Sequence, residues 1–401
     1  MHILLHDFAG HPFQVELSRA LAARGHRVTH GWFAADAGPK GVMKRQNGDA
    51  EGLEFQPFGV NISYSKTNFR KRRSGDLSYA REVGLWVKMH RPDIIISGNT
   101  PTEVQEIIIR AARKADAAFV YWCQDFYSIA ASQLLKKKLP IIGHIVGAYY
   151  RSLERRQMRR AARIVHITEA FYYQTDAWGI ARDRIEVIPN WGAIAEIKML
   201  ERDTFWREEQ GLHRPRVALY SGTLAMKHNP MLLRALAEAV ESRGDTSVVV
   251  IAAGVGADAL EKGQLKTPLS ALELRGLQPF DRFAEVLATA DVLMAVLERE
   301  AGTFSVPSKI LSYLCAGRPI VLAAPLENLA AKIVQDVGAG VVVEPEDEAG
   351  FVASVVGFLN DSTAAARAGA RARAYAVENF AIDRVADRFE RVCLCALQQK
   401  W

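Results

Sequence analysis

The stretch "EREAGTFSVPSKILSYLCAGRPIVL" (Glu298–Leu322) places a glycine, a proline and a lone lysine in front of a short apolar run. It is not a nucleotide P-loop. That motif needs two glycines separated by four residues and followed by Lys-Ser/Thr, whereas Gly302 stands alone and Lys309 precedes Ile310. The chemistry it suits is anion binding. Ser308 is an expected N-cap for a helix from Lys309 to Cys315, stopped by Gly317 and Pro319. The loop Gly302-Thr303-Phe304-Ser305-Val306-Pro307 then supplies free backbone amides, and the helix dipole adds roughly half a positive charge. No acidic residue occurs from Ala301 to Pro325. The departing diphosphate of an activated substrate fits such a turn; an ordinary capped helix is the alternative.

Three other stretches carry candidate groups. In "SGTLAMKHNP" (Ser221–Pro230), Ser221-Gly222 permits a tight turn and Pro230 suits a first helical turn. Lys227 is then expected near a helix N-terminus, a favourable place for phosphate. In "VYWCQDFYS", Gln124 and Asp125 follow an expected strand. A carboxylate there can receive or orient an acceptor hydroxyl, or cap the next helix. In "HDFAGHPF" (His6–Phe13), Gly10 is expected to let the backbone approach a ligand, and His11 opens a helix. By contrast, Gly254-x-Gly256-x-x-Ala259 resembles a dinucleotide fingerprint but lies on the second strand of its domain, so a simple turn is the better reading.

These groups must be positioned by strands and helices, and the sequence supplies an alternation of the two. "HILLHD", "RVTHGWFA", "PDIIISGN", "AAFVYWC", "RIVHIT" and "RIEVIPN" read as strands with amphipathic stretches between them, including a long helical run over Ile141–Ala162. The pattern dissolves near 191–214 and restarts with "RVALYSGTL", "SVVVIAAG", "LELRGLQPF", "ADVLMAVL", "RPIVLAAP" and "AGVVVEP". Continuous Val/Ile runs alternating with helices indicate parallel sheets covered on both faces. The fold expected is α/β, with two doubly wound domains facing a cleft: 1–195, a linker at 196–213, 214–380, and a closing helix over 381–401. Ligands of such sheets bind at the carboxyl ends of the strands, so an enzyme joining two substrates is the natural occupant.

A length of 401 residues fits two domains. Charge is unevenly placed: residues 1–195 hold 28 Lys+Arg against 18 Asp+Glu, and residues 196–401 hold 23 against 27. The first half is thus +10 and the second −4. Clusters at "FRKRR" (Phe69–Arg73), "KKKLP" (Lys136–Pro140) and Arg151–Arg163 attract phosphate, or are solvated helix faces. They lack the interleaved aromatics of a base-stacking surface, so no nucleic-acid partner is expected. Cys123, Cys315, Cys393 and Cys395 form no metal pattern and suit a reducing cytosol. No leader of the secretory type is read in "MHILLHDFAG", and no apolar run reaches the roughly 20 residues of a membrane span. Two readings compete with transfer between substrates: a nucleotide-sugar epimerase or hydrolase, which wants clustered carboxylates, and a non-catalytic basic protein binding membrane or nucleic acid.

Taken in order, "HDFAGHPFQVELSRALAARGHRV", "WCQDFY", "RIEVIPNW", "LYSGTLAMKHNP", "QPFDRFAEVLATADVLMAVL" and "VPSKILSYLCAGRPIV" resemble the glycosyltransferase family 4 enzymes, retaining sugar transferases of the GT-B fold. "VPSK…YLCAGRP" and "IPNW" are similar to the colanic-acid and O-antigen exopolysaccharide branch. The resemblance implies a nucleotide-diphosphate-sugar donor, no metal or other cofactor, and a polyprenyl-linked or saccharide acceptor at the cytoplasmic face of the inner membrane. It places Lys227 on the donor diphosphate, the loop Gly302–Lys309 around the phosphates, and Asp125 in the acceptor segment with Gln124 where a histidine is usual; an arginine usual after Ser-Gly is replaced by Thr223 and Leu224. The residues themselves add Gly222, Thr223 and Glu300 to the donor side and Gly10 and His11 to the acceptor side, with Asp125, His11 and Lys227 as the catalytic groups. The chain departs from the family where two glutamates eight apart are usual: Ser312 stands at the second and Phe304 eight residues upstream, with Glu300 near the first. Domain closure that excludes water completes the expected mechanism.

Overall fold

The computed structural model describes residues 1–36, 40–64, 68–138, 140–225, 228–299 and 308–399. The chain forms two compact units, Met1–Pro189 with Ile382–Trp401, and Asn190–Ala381. The first unit is built on seven parallel strands: β1 (His2–Asp7), β2 (Arg27–Phe33), β3 (Leu53–Phe58), β4 (Ile94–Gly98), β5 (Ala118–Cys123), β6 (Arg163–His166) and β7 (Ile185–Val187). Their order across the sheet is β3-β2-β1-β4-β5-β6-β7. Helices α1 (Pro12–Ala23), α2 (Phe69–His90), α3 (Thr102–Lys114), α4 (Tyr127–Lys138), α5 (Pro140–Arg160) and α6 (Tyr172–Ala177) connect them. Every residue of β4 and β5 is buried, as a parallel sheet covered on both faces requires.

The second unit carries β8 (Arg216–Thr223), β9 (Thr246–Ala253), β10 (Leu272–Arg275), β11 (Val292–Val296), β12 (Ile320–Ala323) and β13 (Gly340–Val343), in the order β10-β9-β8-β11-β12-β13. Its helices are α7 (Phe205–Glu209), α8 (Met231–Val240), α9 (Val255–Lys266), α10 (Phe283–Ala288), α11 (Lys309–Ala316), α12 (Leu329–Val337), α13 (Glu348–Asn360) and α14 (Ser362–Asn379). The core alternates β8, β9 and β11 side chains (Tyr220, Val248, Val250, Met294) with α8 and α13 residues such as Leu233 and Phe351.

The final helix, α15 (Ile382–Gln398), belongs to the first unit, as expected from the sequence. Phe389 packs against Trp122 with ring centroids 4.6 Å apart, and Arg24 bonds to Asp387 (2.6 Å) and Glu390 (3.2 Å).

Among the elements that escaped the sequence pattern are α7, α13 and α14, together with two whose residues explain why. β3 is an edge strand whose Glu54, Gln56 and Pro57 break any apolar run. The basic cluster at Phe69–Arg73 is the first turn of the long helix α2, capped by Asn68, which accepts from the Lys71 N–H at 3.1 Å.

The stretch 196–213, expected as a linker, is instead folded into the second unit, and the division falls between Pro189 and Asn190. Ile197, Trp206 and Leu212 are buried there. The Trp206 indole donates to Gln278 at 3.0 Å, and its backbone N–H donates to Glu285 at 2.9 Å. A buried tryptophan truncated to alanine costs about 3–5 kcal/mol. Trp206→Ala is therefore expected to lower the unfolding free energy by that amount, read as a lower midpoint in a denaturant titration, whereas a loose linker would show no change.

Cys123, Cys315 and Cys393 are buried, Cys395 is half-buried, and all four are free thiols. Among the described residues no helix is long and apolar enough to cross a membrane.

Candidate active site

In each sheet the strand order reverses beside the first strand of the unit, between β1 and β4 and between β8 and β11. Open α/β sheets bind ligands at the carboxyl ends of strands flanking such a switch point. The candidate residues fall at these two edges.

At the first edge the organising group is Asp7, the last residue of β1, which is fully buried. Its carboxylate accepts from the Ala9 N–H at 3.1 Å and from the His11 N–H, and lies 3.4 Å from His11 Nδ1. The His11 side chain keeps 29% exposure. Asn99, just beyond β4 with a left-handed φ of 53°, brings its amide nitrogen within 3.4 and 3.5 Å of the two ring nitrogens.

Burial works against charge on both members of the Asp7–His11 pair, but their mutual attraction outweighs it. The Asp7 carboxyl is held below its ordinary value of 3.8, and the His11 ring is raised above its ordinary 6.5, with smaller help from Asp125 and Asp36. The signs fix the pH window. The Asp7 contribution to stability is lost as pH falls below 3.8 through its folded value. The His11 contribution is complete below 6.5 and lost as pH rises through its folded value. Because burial is the largest influence on the ring, Asp7→Asn is expected to drop the His11 pKa below 6.5. An NMR titration of the histidine rings checks this, and an unmoved His11 would contradict the pairing.

Gly10 does not have the role expected of it. With φ 81° it is in the left-handed region, and a Cβ there would meet Met43 Cε at 2.9 Å and Lys40 Cγ at 3.1 Å. The segment at 40–43 already covers it, so the close approach is by the chain's own side chains. Gln124 and Asp125 follow β5 as expected; Gln124 is buried and Asp125 half-buried.

At the second edge, Gly222 and Thr223 end β8, and Lys309 opens α11. The Lys309 ammonium sits over the face of Tyr220, 3.5 Å from the ring centroid. A Cβ on Gly222, whose φ is 130°, would lie 3.3 Å from that nitrogen. Glycine thus permits the cation to lie against the end of the strand. Tyr313 of α11 locks this arrangement. Its hydroxyl accepts from the Ser221 N–H at 3.0 Å and lies 3.2 Å from the carbonyl oxygens of Ser221 and Met294, joining α11 to β8 and β11. Thr223 is exposed.

Ser308 is not a side-chain cap. Its backbone is already helical (φ −58°, ψ −23°) and its side chain makes no capping bond. An N-cap needs an extended backbone for the hydroxyl to reach the first-turn amides. Lys227, Glu300, Gly302, Thr303, Phe304, Ser305, Val306 and Pro307 lie outside the described residues.

The glycines of Gly254-x-Gly256 serve packing. Cβ atoms there would meet Leu224 O at 3.0 Å and Leu224 Cγ at 2.6 Å, and the Gly256 N–H donates to Leu224 O at 2.9 Å. Gly192, after "IPNW", approaches α11 equally closely: a Cβ would lie 2.5 Å from Cys315 Sγ. Among the described residues no three His, Cys, Asp or Glu side chains are grouped to hold a metal ion.

Asp7, Asn99, Tyr220 and Tyr313 were not singled out by the sequence. For Asp7 a signal existed, a carboxylate at a strand end four residues before a histidine. For Asn99 it was the Gly-Asn-Thr-Pro turn after "DIIIS".

Two such Rossmann-like units define the GT-B class of glycosyltransferases. Residues 11–191 match the glycosyl transferase 4-like domain, and residues 215–361 match glycosyl transferases group 1. The first part of the chain thus carries a glycosyl transferase 4-like domain and the second a glycosyl transferases group 1 domain. No curated protein sequence matches it. Among solved structures, it is similar to Anabaena Alr3699/HepE in complex with UDP and glucose (17% identity, 98% of each chain covered, TM-score 0.69). It is also similar to sucrose-phosphate synthase from Thermosynechococcus elongatus (12% identity, 97% of each chain, TM-score 0.73). WaaG, a glycosyltransferase involved in lipopolysaccharide biosynthesis, is 15% identical over 96% of this chain and 99% of its own, with a TM-score of 0.66.

Proposed function

We propose that this chain is a retaining glycosyltransferase of surface-polysaccharide assembly, carrying a sugar from a nucleotide-diphosphate-sugar to a lipid-linked or saccharide acceptor. The observation that carries the reading is the Lys309 ammonium held beside Gly222 at the switch point of the second unit. The family match of both halves and the UDP, glucose and UDP-glucose complexes of HepE support it. The colanic-acid and O-antigen branch is the finer reading, supported by "VPSK" and "IPNW" in the sequence.

In this reading the bond between the anomeric carbon and the diphosphate oxygen breaks, and the electron pair leaves with the diphosphate. Lys309, Lys227 and the amide N–H groups of Gly302–Val306 meet that charge, so no metal ion is called on. Donors aimed at charge that develops in the transition state supply the largest catalytic contribution. The first unit holds the acceptor. The acceptor hydroxyl oxygen bonds to the anomeric carbon on the face of the sugar that the diphosphate leaves and gives its proton to Asp125, while His11, made more basic by Asp7, stands beside it.

The same reading places the first unit on the cytoplasmic membrane face. Ile142, Ile145 and Tyr149 of α5 are exposed at spacings of three and four, one face of a helix. On α2, Arg70, Arg73 and Arg81 line a hollow of about 340 Å³. Apolar and basic side chains together suit an anionic lipid surface.

A thermal-shift screen tests the donor half of the account. UDP, other nucleoside diphosphates and their sugar conjugates are expected to raise the melting temperature of the wild type and to do so less in Lys227→Ala. No shift with any nucleoside diphosphate would contradict it.

A further inference from the structure

Gln124 and Asp125 sit in a connection of three residues between β5 and α4, and one buried carboxyl grips both of its flanks. Glu154 of α5 is fully buried. Its Oε1 accepts from the Tyr121 hydroxyl on β5 at 3.2 Å. Its Oε2 accepts from the Ser128 N–H at 3.3 Å and the Ser128 hydroxyl at 2.6 Å, in the first turn of α4. Tyr121 lies three residues before Gln124, and Ser128 three residues after Asp125.

We propose that Glu154 is a positioning residue for glycosyl transfer: its carboxyl staples the end of β5 to the start of α4 and so fixes where the Gln124–Asp125 segment stands. The importance of that segment rests on the acceptor reading above; the staple itself is a claim about geometry. The physical case is that the connection is short and its bonds are local: the Cys123 thiol donates to the Asp125 carbonyl oxygen at 3.8 Å, and the Ile129 N–H donates to the Phe126 carbonyl oxygen at 3.0 Å. Three residues are too few for structure of their own, and the first amides of a helix have no partners inside it. A buried carboxyl taking several donors is a strong anchor. Burial pushes Glu154 up to about 7 against the pull of the Ser128 and Tyr121 donors, so its bonds are charge-assisted above that pH and remain ordinary hydrogen bonds below it. A carboxylate facing a helix N-terminus also meets a favourable dipole. Glu154 supplies this from a third element, so the segment is referenced to α5 as well as to the sheet. The close packing of α4 on α5 keeps that reference rigid: a Cβ on Gly147 would lie 2.4 Å from Ser132 Oγ, and the Arg151 guanidinium donates to the same hydroxyl at 2.8 Å.

The His11 ring reports the position of Asp125, because the Asp125 charge is one of the influences that raise the ring's pKa. In Glu154→Gln an NH₂ group replaces one acceptor oxygen and faces donors. The histidine titration followed by NMR in the full chain is expected to show the His11 pKa falling toward the ordinary value. Amide exchange at residues 124–128 is expected to rise about tenfold or more. Ser128→Ala keeps the carboxyl and removes one bond, and is expected to move both readouts the same way by a smaller amount. It is the variant to measure if Glu154→Gln does not fold.

An unmoved His11 pKa and unchanged exchange in a folded Glu154→Gln, or in Ser128→Ala should only that variant fold, would overturn the proposal. The acceptor reading fails separately, if Asp125→Asn transfers sugar at the wild-type rate whatever Glu154 does to the titration.

Discussion

Lys309→Ala is expected to weaken nucleoside-diphosphate binding about ten- to a hundredfold, on the ~1.5–3 kcal/mol of a hydrogen bond to a charged group. The stem of this lysine brings its ammonium over the Tyr220 ring and against Gly222, so alanine removes packing along with charge. Lys309→Met separates the two, because it fills similar volume without the cation. If the ammonium meets the diphosphate, methionine binds as weakly as alanine in a calorimetric titration. Equal affinity in Lys309→Met and wild type would leave the residue a purely structural prop for α11. The turnover rate is expected to fall further than affinity, by about a hundred- to a thousandfold, because the charge on the leaving diphosphate grows in the transition state.

The second large effect lies in the other unit. Asp125→Asn is expected to cut sugar transfer about 10²- to 10⁴-fold, the usual span for a group that handles a proton in the transition state. Nucleoside-diphosphate affinity is expected to remain at the wild-type level, since Asp125 belongs to the first unit and the donor contacts to the second. His11→Ala is expected to behave in the same direction. A donor that is still bound but no longer transferred is the signature of an acceptor-side lesion. Loss of donor binding in Asp125→Asn would place this residue on the wrong substrate.

The regularities of parallel α/β architecture were legible in the sequence because burial on both faces writes them into composition. β4, β5 and β9 carry long apolar runs, and all three were read correctly. The edge strand β3 was not, since an edge needs no continuous apolar run and Pro57 is tolerated there. α2 begins with Phe69-Arg-Lys-Arg-Arg, a sequence that signals charge before it signals helix. Residues 196–213 looked like a linker because polar side chains dominate the stretch. What holds them to the second unit is a few large anchors, Trp206 above all, whose partners Gln278 and Glu285 lie more than 70 residues away.

The site was legible to the same degree. Asp125, His11 and Gly222 fall at the carboxyl ends of strands because their neighbours in sequence are strand ends, whereas Lys309 opens α11. Their three-dimensional partners are another matter. Asn99 reaches His11 across the β1–β4 switch point, a pairing decided by strand order, which a linear pattern does not encode. The cap at Ser308 failed for a subtler reason. Residue type names a preference, but the backbone at the cap position itself is already helical. Gly10 failed because a glycine records only that space is scarce, and here Met43 and Lys40 fill it.

The central claim is that a nucleoside diphosphate is held at the carboxyl edge of the second sheet. Crystals soaked with UDP test it most directly. The account predicts diphosphate density within hydrogen-bond distance of Lys309 Nζ and beside the Gly222 backbone; diphosphate density at the β1–β4 edge of the first sheet, with the β8–β11 edge empty, would contradict it.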